Sequence, residues 1–376
     1  MRIISGLLAL VALTSPGLAQ IEIHETEQAD FRVEVIASGL GNPWSMVFLP
    51  DGSLLVSERE GRLRLIDENG LRPEPVTGLP DDLLPVRQGG LLGLALHPGF
   101  AENRLVYFAY SGGSIRANHT ALARGRLSTD RRSLEAVETL FRVNFDKARG
   151  LHFGGRVQFL ADGTLLLTLG EGGLYPGEAQ NLANHLGSIV RLNDDGTVPF
   201  DNPFVSVRGA GPEIYTYGHR NVQGIAINPQ TGSVWANEHG ARGGDEINII
   251  EAGSNYGWPR ITWGVDYDGT PISDATHGPG LEQPVWFWDP SIAPSGMSFY
   301  DSDAFERWRG DLFIGALAGQ MLVRLEIDGD RVISTETLLD DRGNRIRDVT
   351  TGPDGNLYLL TDADDGAVLR LVPVIP

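Results

Sequence analysis

One local pattern recurs along the chain: a turn built from Asp, Asn or Gly, followed at once by a short apolar strand. Such a turn, leading into a run rich in apolar residues, is typical of a β-hairpin. Six copies occur, at residues 50–56, 101–107, 161–167, 230–235, 309–314 and 353–358. Hairpins repeated in this way along the whole chain indicate the blades of a β-propeller, each of which is a small antiparallel sheet.

The six copies predict an all-β fold: a six-bladed β-propeller with long loops between its strands. Helices of ordinary length are not expected, because the 48 glycines and 22 prolines of the chain interrupt almost every window. An array of β-sandwich domains would need linkers, and a β-helix would need a much shorter repeat. We therefore expect one propeller domain over residues 20–376, with functional residues on its long loops.

The first 19 residues have the pattern of a secretory signal peptide. Arg2 precedes an apolar run at residues 3–13, and Ala19 is a small residue at the expected cleavage point. The run is too short to span a bilayer. We expect residues 1–19 to be removed and the mature protein to be periplasmic or secreted. A retained N-terminal anchor is the weaker alternative.

The charge of the chain bears on its partners. Its formal net charge is −19, with 30 Lys and Arg against 49 Asp and Glu. Such a surface repels nucleic acid and anionic lipid, so neither is an expected partner. The absence of cysteine excludes disulfides, thiolate nucleophiles and cysteine-ligated zinc.

Two arginines stand out against this acidic background. Arg345 and Arg347 are two residues apart, so at the period of a β-strand their side chains point to the same face. Each guanidinium can bind a carboxylate through two hydrogen bonds, which suits a multiply charged anion. Two separate surface ion pairs are the alternative.

Six motifs follow one another in a characteristic order. They are QGGLLGLALHPGF (88–100), HFGGR (152–156), YGHRNVQG (217–224), NEHG with DEIN (237–240 and 245–248), NYGWP (255–259) and RIRD (345–348). Together the motifs resemble the soluble sugar dehydrogenases that depend on pyrroloquinoline quinone (PQQ), the glucose and aldose dehydrogenases. The resemblance covers nearly the whole mature chain. Members of that family are six-bladed propellers, in agreement with the fold predicted from the repeats.

The resemblance implies that His152 is the general base, which takes the proton from the anomeric hydroxyl of the substrate. His152 precedes two glycines and is expected on a loop that enters a strand. The ordinary histidine pKa of about 6.5 suits a base at neutral pH. Asp146 is the candidate to orient the imidazole. A loop histidine that only binds a carbonyl group is the alternative.

Further residues are implied as PQQ ligands. Arg220 would lie near the quinone oxygens, where a fixed cation stabilises negative charge as hydride arrives, so it would also be catalytic. Arg345 and Arg347 would hold carboxylates of the cofactor. The remaining ligands would be Gln88, Asn221 and Tyr267. Polar loop residues are the alternative reading of the first two, and for Tyr267 a surface aromatic is equally favoured.

Calcium is the second implied cofactor. Residues 238–248 mix carboxylates with glycines, which lets backbone oxygens turn toward a hard cation. There is no EF-hand spacing, and acidic loops on acidic proteins are usually only solvated. The resemblance implies backbone ligands at Gly240 and Ala241, and further ligands at Glu246 and Tyr256. Whether these serve one ion or two stays open.

Two departures from the glucose-oxidising members favour the aldose-dehydrogenase branch. Ala241 stands where those members have proline, a change that a backbone ligand tolerates. Residues 316–320 contain no lysine, whereas those members have a cofactor-binding lysine in this segment. Ala318 could therefore offer only backbone contacts.

The implied activity is oxidation of an aldose at C1 to the lactone, with electrons passed to an external quinone or cytochrome. Two alternatives come from other classes: a propeller that binds carbohydrate or protein without catalysis, and a calcium-dependent lactonase. A pure binding module would have no need for a base, a quinone-facing arginine and an anion clamp together. Tight binding of PQQ would exclude the lactonase.

Overall fold

The structure is a computed structural model that describes residues 22–374. The predicted signal peptide, residues 1–19, lies outside the described residues. Six antiparallel sheets account for most of the described chain. Among residues 22–374, no helix is both long enough and apolar enough to cross a bilayer.

Each sheet is one blade of a ring. Two strands precede the first complete blade: β1 (Ile23–His24) and β2 (Phe31–Leu40). Blade 1 contains β3 (Pro43–Phe48), β4 (Leu54–Glu58), β5 (Arg62–Asp67) and β6 (Gly70–Leu71). Blade 2 contains β7 (Leu91–Leu96), β8 (Leu105–Ser114), β9 (Ala117–Leu127) and β10 (Leu134–Arg142). Blade 3 contains β11 (Val157–Phe159), β12 (Leu165–Thr168), β13 (Ser188–Leu192) and β14 (Ile214–Tyr217).

The second half of the chain repeats this order. Blade 4 contains β15 (Val222–Ile227), β16 (Val234–Glu238), β17 (Asp245–Ile249) and β18 (Trp286–Trp288). Blade 5 contains β19 (Pro294–Phe299), β20 (Leu312–Ala316), β21 (Met321–Asp328) and β22 (Arg331–Leu338). Blade 6 contains β23 (Ile346–Thr351), β24 (Leu357–Thr361) and β25 (Gly366–Pro373). The helices are α1 (Phe100–Asn103) and short 3-10 turns at Pro176–Gln180, Glu306–Trp308 and Asp340–Arg342.

The ring closes through both ends of the chain. β2 pairs with β25, from Phe31 opposite Pro373 to Leu40 opposite Gly366, so blade 6 has the order β1-β2-β25-β24-β23. The first strand of each blade contacts the first strand of the next, and β23 contacts β3. The predicted all-β, six-bladed propeller is therefore confirmed, and closure leaves no open side to the ring.

Each predicted repeat is the turn from the first to the second strand of a blade. In blades 1 and 3 the side chain of the turn aspartate accepts hydrogen bonds from the backbone N–H and the hydroxyl of the residue two positions later. Asp51 accepts from Ser53, and Asp162 accepts from Thr164. This local bonding explains why the turn can be recognised in sequence. Two blades differ: α1 takes the place of the tight turn in blade 2, and in blade 5 a longer connection with the 3-10 turn Glu306–Trp308 joins β19 to β20.

The antiparallel order of the strands separates the two ends of the ring. All six turns between first and second strands lie at one end. Loops that lead into the first strands, and loops that follow the second strands, must therefore meet at the opposite end. Several of these loops are long, and they carry most of the motif residues predicted to bind or react. The exceptions are Arg347 in β23, Glu246 in β17, and Tyr256 and Tyr267 in the loop between β17 and β18.

Candidate active site

A cavity of about 260 Å³ opens at the end of the ring where the long loops meet. Loops before first strands contribute six of its lining residues: Gln88, Phe153, Gly154, Asn221, Ala293 and Arg345. Residues that directly follow second strands contribute three more: Arg59, His239 and Leu317. Of the predicted PQQ ligands, the cavity thus brings together Gln88, Asn221, Arg345 and Arg347.

β-Bulges aim further side chains into this cavity. Five of the six first strands shift register near the end that faces it. Trp44, Gln223 and Arg347 each lie within such a shift, and each lines the cavity. A bulge adds one residue to one strand and turns its side chain away from the regular alternation. The bulges therefore build part of the site.

The arginines give the cavity a positive charge. Arg345 and Arg347 both donate to Oδ2 of Asp362, at 2.8 and 3.0 Å. Arg59 lines the same cavity, donates to Asn42 at 3.0 Å, and has no carboxylate within salt-bridge distance among residues 22–374. Arg345 and Arg347 thus share one carboxylate, and Arg59 adds a third guanidinium without one, which contradicts the alternative of two separate surface ion pairs.

An unsatisfied donor supports the same conclusion. Nε of Arg347 is buried and has no hydrogen-bond partner within the described part of the chain. A buried cationic donor without a partner costs free energy, which an anion in the cavity would recover. The site fits a ligand with several carboxylates, as PQQ has.

The imidazole of His152 is held by Glu171. Its Nδ1 lies 2.7 Å from Oε1 of Glu171, and its backbone N–H donates to the side-chain oxygen of Gln88 at 2.8 Å. His152 lies on the predicted loop before β11, but its side chain is buried. Burial lowers the pKa of His152 below its ordinary value; Glu171 opposes this, and the charge of Arg220 adds to it. The imidazole is therefore neutral at neutral pH.

The state of Glu171 sets the tautomer of His152. Burial raises the pKa of Glu171, but the hydrogen bond and charge of His152 and the charge of Arg220 outweigh it, so the net pKa is lowered. A charged carboxylate only accepts hydrogen bonds, so Nδ1 of His152 carries the proton. Nε2 then presents a lone pair, as a general base requires.

Asp146, the residue expected to orient His152, does not contact it. Its carboxylate lies 3.1 Å from Nδ1 of His119 and accepts from Arg142 at 2.7 Å. The chain bridges to β9 at Lys147 before it turns toward the cavity, so Asp146 stays beside β9. The expectation for Asp146 is wrong, and Glu171 has that position.

Arg220 and Asn221 join the base to the cavity. The carbonyl of Arg220 accepts from the backbone N–H of Glu171 at 3.0 Å. Its guanidinium donates to the carbonyl of Gly240 at 2.5 Å and to the hydroxyl of Tyr267 at 3.4 Å. The side-chain oxygen of Asn221 accepts from the backbone of the base loop, at the N–H of Gly154, 3.1 Å away. Tyr267 itself is 68% exposed, so it stands at the rim of the site.

The predicted calcium ligands lie in two places. Asp245 accepts from the backbone N–H of Gly240 at 2.8 Å, and Ala241 follows in the same loop. Glu246 is the next residue of β17, so its side chain points to the opposite face of the sheet from Asp245. We therefore expect the two pairs to serve separate ions.

Each place has a distinct set of oxygens. At the first, the Gly240 carbonyl accepts from Arg220, and Ala241 would add a second backbone oxygen. At the second, burial and then the charge of Glu238 raise the pKa of Glu246 to about 8. The hydroxyl of Tyr256 is committed to the carbonyl of Ile249 at 2.6 Å, which leaves only its backbone oxygen for a cation.

A cation at either place would depend on backbone oxygens. Among residues 22–374, no three His, Cys, Asp or Glu side chains are grouped so as to hold a metal ion. Glu246 nevertheless fits a cation, since a buried carboxylate beside a second one is stabilised by positive charge.

An arginine contacts residues 316–320, the segment that lacks the family's lysine. Nη1 of Arg345 donates to the carbonyl of Leu317 at 3.1 Å, and Leu317 lines the cavity. The backbone N–H of Ala318 donates away from the cavity, to Ile292 at 3.0 Å. Arg345 therefore supplies a cation beside the segment where the lysine is missing.

Several residues of the site were not predicted, and the blade repeat contains a signal for some of them. Arg59, Glu171 and Asp362 all follow the second strand of a blade within three residues. In blades 1, 4 and 5 the residue that follows the second strand lines the cavity, so the repeat could have pointed to the same position in the other blades. Trp44 and Gln223 depend on bulges, for which the sequence gives no comparable signal.

Comparison with known proteins agrees with this geometry. The family described as glucose/sorbosone dehydrogenase matches residues 40–370. The chain is 45% identical to the aldose sugar dehydrogenase YliI of Escherichia coli (strain K12), over 92% of this chain and 94% of that protein. The apo-form crystal structure of the soluble aldose sugar dehydrogenase from Escherichia coli has a TM-score of 0.89 at 44% identity, covering 92% of this chain and 100% of that one.

A more distant solved structure contains the cofactor. The PQQ-bound form of an aldose sugar dehydrogenase from Streptomyces coelicolor has a TM-score of 0.75 at 30% identity, covering 91% of this chain and 99% of that one. The family match and these relatives each cover most of the described residues, and the relatives of known structure share the fold of this chain. The chain belongs to the glucose/sorbosone dehydrogenase family of oxidoreductases.

Proposed function

We propose that this protein is a PQQ-dependent aldose dehydrogenase, which oxidises a sugar at C1 to the lactone and passes two electrons to an external acceptor. The observation that carries the proposal is a neutral histidine base, oriented by Glu171, beside a cavity lined by three arginines, of which two share one carboxylate and the third has none. Relatives named for aldose oxidation and a PQQ-bound neighbour support it.

The cavity residues would hold the cofactor in defined ways. Arg59, Arg345 and Arg347 would bind its carboxylates, because guanidinium groups pair with carboxylates through two hydrogen bonds. Asn221 and the free amide N–H groups of Gln88 would bind its polar edge. Bound PQQ would supply the hydride acceptor for C1 and the route for electrons to leave.

His152 would move the proton. Its Nε2 would take the proton from the C1 hydroxyl as the C1 hydride departs, so that a C=O bond forms at C1. The imidazolium would then be stabilised by the carboxylate of Glu171, 2.7 Å from Nδ1. The fixed charge of Arg220 would stabilise negative charge as hydride arrives at the cofactor.

The proposal includes calcium and export. The backbone oxygens of Gly240 and Ala241 would hold one ion beside the cofactor, and Glu246 with the backbone oxygen of Tyr256 would hold another. Residues 1–19 would direct export, so that the mature chain acts in a periplasm or outside the cell.

Reconstitution tests the proposal. Purified protein is titrated with PQQ in the presence of Ca²⁺, and cofactor binding is followed by absorbance. Turnover is then measured with aldoses and an artificial electron acceptor. We expect stoichiometric PQQ binding and turnover that requires sugar. Tight PQQ binding without any sugar-dependent turnover would overturn the substrate class, and failure to bind PQQ would favour a lactonase or a binding propeller.

A variant isolates the base. His152→Ala is expected to bind PQQ with nearly native affinity but to lose turnover, since the base would be absent while the arginines remain. The matched control is His277→Ala, which removes an exposed histidine and should leave both quantities unchanged. Near-native turnover in His152→Ala would show that another group takes the proton.

A further inference from the structure

Lys147 is the only lysine of the chain: every other one of its 30 basic residues is an arginine. Lysine side chains normally lie at the surface, with the ammonium in water. Lys147 is instead 1% exposed. The sequence thus retains its single lysine at a buried position, directly behind the loop of the base.

Within the described part of the chain, the contacts of its amine are made with that loop. Nζ donates to the carbonyl of Leu151 at 2.7 Å and also to the carbonyl of His152. It lies 3.7 Å from the centre of the Phe153 ring. Among residues 22–374, no carboxylate is within salt-bridge distance of Nζ, although the negative charge of Glu171 acts on it. The amine therefore binds three consecutive residues around the base.

The loop needs this support, because its backbone is unusual at the base. His152 has φ of 45°, in the left-handed region that residues other than glycine rarely adopt. Such a conformation is unfavourable for a residue with a Cβ and persists only when surrounding contacts hold it. Gln88 binds the N–H of His152, while Lys147 binds its carbonyl, so the residue is held from both sides.

Lys147 connects the loop to a rigid strand. Its backbone N–H and carbonyl exchange hydrogen bonds of 2.8 Å with Asn118 of β9. The space along its side chain is narrow, since a Cβ added at Gly172 would lie 2.9 Å from its Cδ. A slender chain that ends in a compact amine fits here, whereas a planar guanidinium is wider.

We propose that Lys147 is a positioning residue, which holds the backbone of His152 so that its imidazole meets Glu171 and faces the substrate. This inference rests on the proposed function, in which His152 is the base. Because the two accepting carbonyls need only two N–H donors, the role does not depend on whether the amine is protonated.

The first test separates positioning from folding and binding. Lys147→Met keeps the length of the side chain but removes its donors. We expect kcat to fall by at least about tenfold, since a displaced base reacts poorly, while the sugar KM and the PQQ affinity change less than about threefold. Arg149→Met, an exposed change in the same loop, is the control and should leave kcat unchanged. A native kcat in Lys147→Met, or a parallel loss of PQQ binding and thermal stability, would overturn the inference.

Chemical rescue makes the test specific to the amine. The chain has no cysteine, so Lys147→Cys can be alkylated at one site in the unfolded chain and refolded. Aminoethylation restores an amine at nearly the native distance and should restore most of kcat, relative to refolded native protein. A propyl group of the same length should not. Equal activity of the two alkylated forms would contradict the role of the amine.

A measurement on the protein without PQQ distinguishes failure of this inference from failure of the proposed function. The Nδ1 proton of His152 should give a downfield NMR resonance, assigned by its absence in His152→Gln. We expect this resonance in the native protein and its loss in Lys147→Met. Its retention in that variant would overturn the positioning role. Absence of sugar turnover in the native protein would overturn the proposed function instead.

Discussion

At the scale of single residues, the neighbours of the base fix both its protonation state and the orientation of its side chain. Glu171 binds Nδ1 of His152. The backbone N–H of Glu171 in turn donates to the carbonyl of Arg220 at 3.0 Å. The resemblance of motifs predicted His152 and Arg220 but did not supply the carboxylate that orients the base. Sequence proximity favoured Asp146, whereas the blade repeat brings Glu171 to the imidazole from 19 residues away.

Removal of the charge on Glu171 should change the pH dependence in a definite direction. The pKa of His152 already lies below 6.5, chiefly because of burial, so activity is lost only in acid as the base becomes protonated. Glu171 raises that pKa. In Glu171→Gln we therefore expect a lower kcat and an acid limb displaced to still lower pH. The measurement is kcat against pH for both proteins.

The opposite displacement, toward higher pH, would mean that Glu171 does not face the titrating base. Asp146→Asn serves as the control, because its carboxylate binds His119 and Arg142 instead. Its acid limb should coincide with that of the native protein.

Calcium binding should be visible in stability. A ligand bound only by the folded state raises the unfolding temperature as its concentration increases. We expect Ca²⁺ to raise the unfolding temperature of the native protein, and the rise to be smaller in Glu246→Gln. Glu282→Gln, a change to an acidic residue in a loop outside the predicted ligands, is the control. Equal responses of native protein and Glu246→Gln would remove Glu246 from the calcium site.

At the scale of strands and loops, the sequence can predict those features of the site that the blade repeat determines. The turns were recognisable because Asp51 and Asp162 bond locally, and the repeat implied which loops meet. The bulges at Trp44, Gln223 and Arg347 were not predictable. A bulge depends on contacts across the ring, and one extra residue changes which face every following side chain occupies.

The third arginine offers a test of the cavity. Arg59→Gln removes a guanidinium that has no carboxylate partner in the described structure. We expect PQQ affinity to fall by roughly tenfold or more, the effect of a lost charged hydrogen bond, and the salt dependence of binding to weaken. Arg116→Gln, at an exposed hairpin, is the control. Cofactor titration at two ionic strengths measures both effects; an unchanged affinity would place Arg59 outside the cofactor contacts.

At the scale of the whole molecule, one buried arginine joins four blades near the ring axis. Arg156, just before β11, donates to Asp348 of blade 6 at 2.7 Å and to the carbonyl of Gln223 of blade 4 at 2.7 Å. Its guanidinium lies 4.2 Å from the ring of Trp44 in blade 1. Asp348 also accepts from the N–H of Met46 at 2.9 Å. The floor of the cavity is therefore also the place where the blades are tied together.

Loss of this arginine should destabilise the whole ring. Arg156→Met would leave Asp348 buried without its ion pair, a change that typically costs about 3–5 kcal/mol of unfolding free energy. Adding Asp348→Asn should recover part of that loss, because the uncompensated charge disappears. Urea unfolding measures both.

An exposed pair provides the comparison. Arg331 pairs with Asp328 at 3.0 Å, with both side chains largely exposed, so Arg331→Met should cost less than about 1 kcal/mol. Similar costs for Arg156→Met and Arg331→Met would show that the axial contacts do not hold the blades together.

The burial of Lys147 has a consequence for how the protein would tolerate its surroundings. Reducing sugars in their open-chain aldehyde form condense with primary amines, the first step of glycation. The single lysine lies inside the fold, and every other basic residue is an arginine. The protein surface therefore offers these sugars no primary amine except the chain's N-terminus. Guanidinium groups stay protonated and react far less readily in this way. Such a surface could remain unmodified for long periods in concentrated aldose.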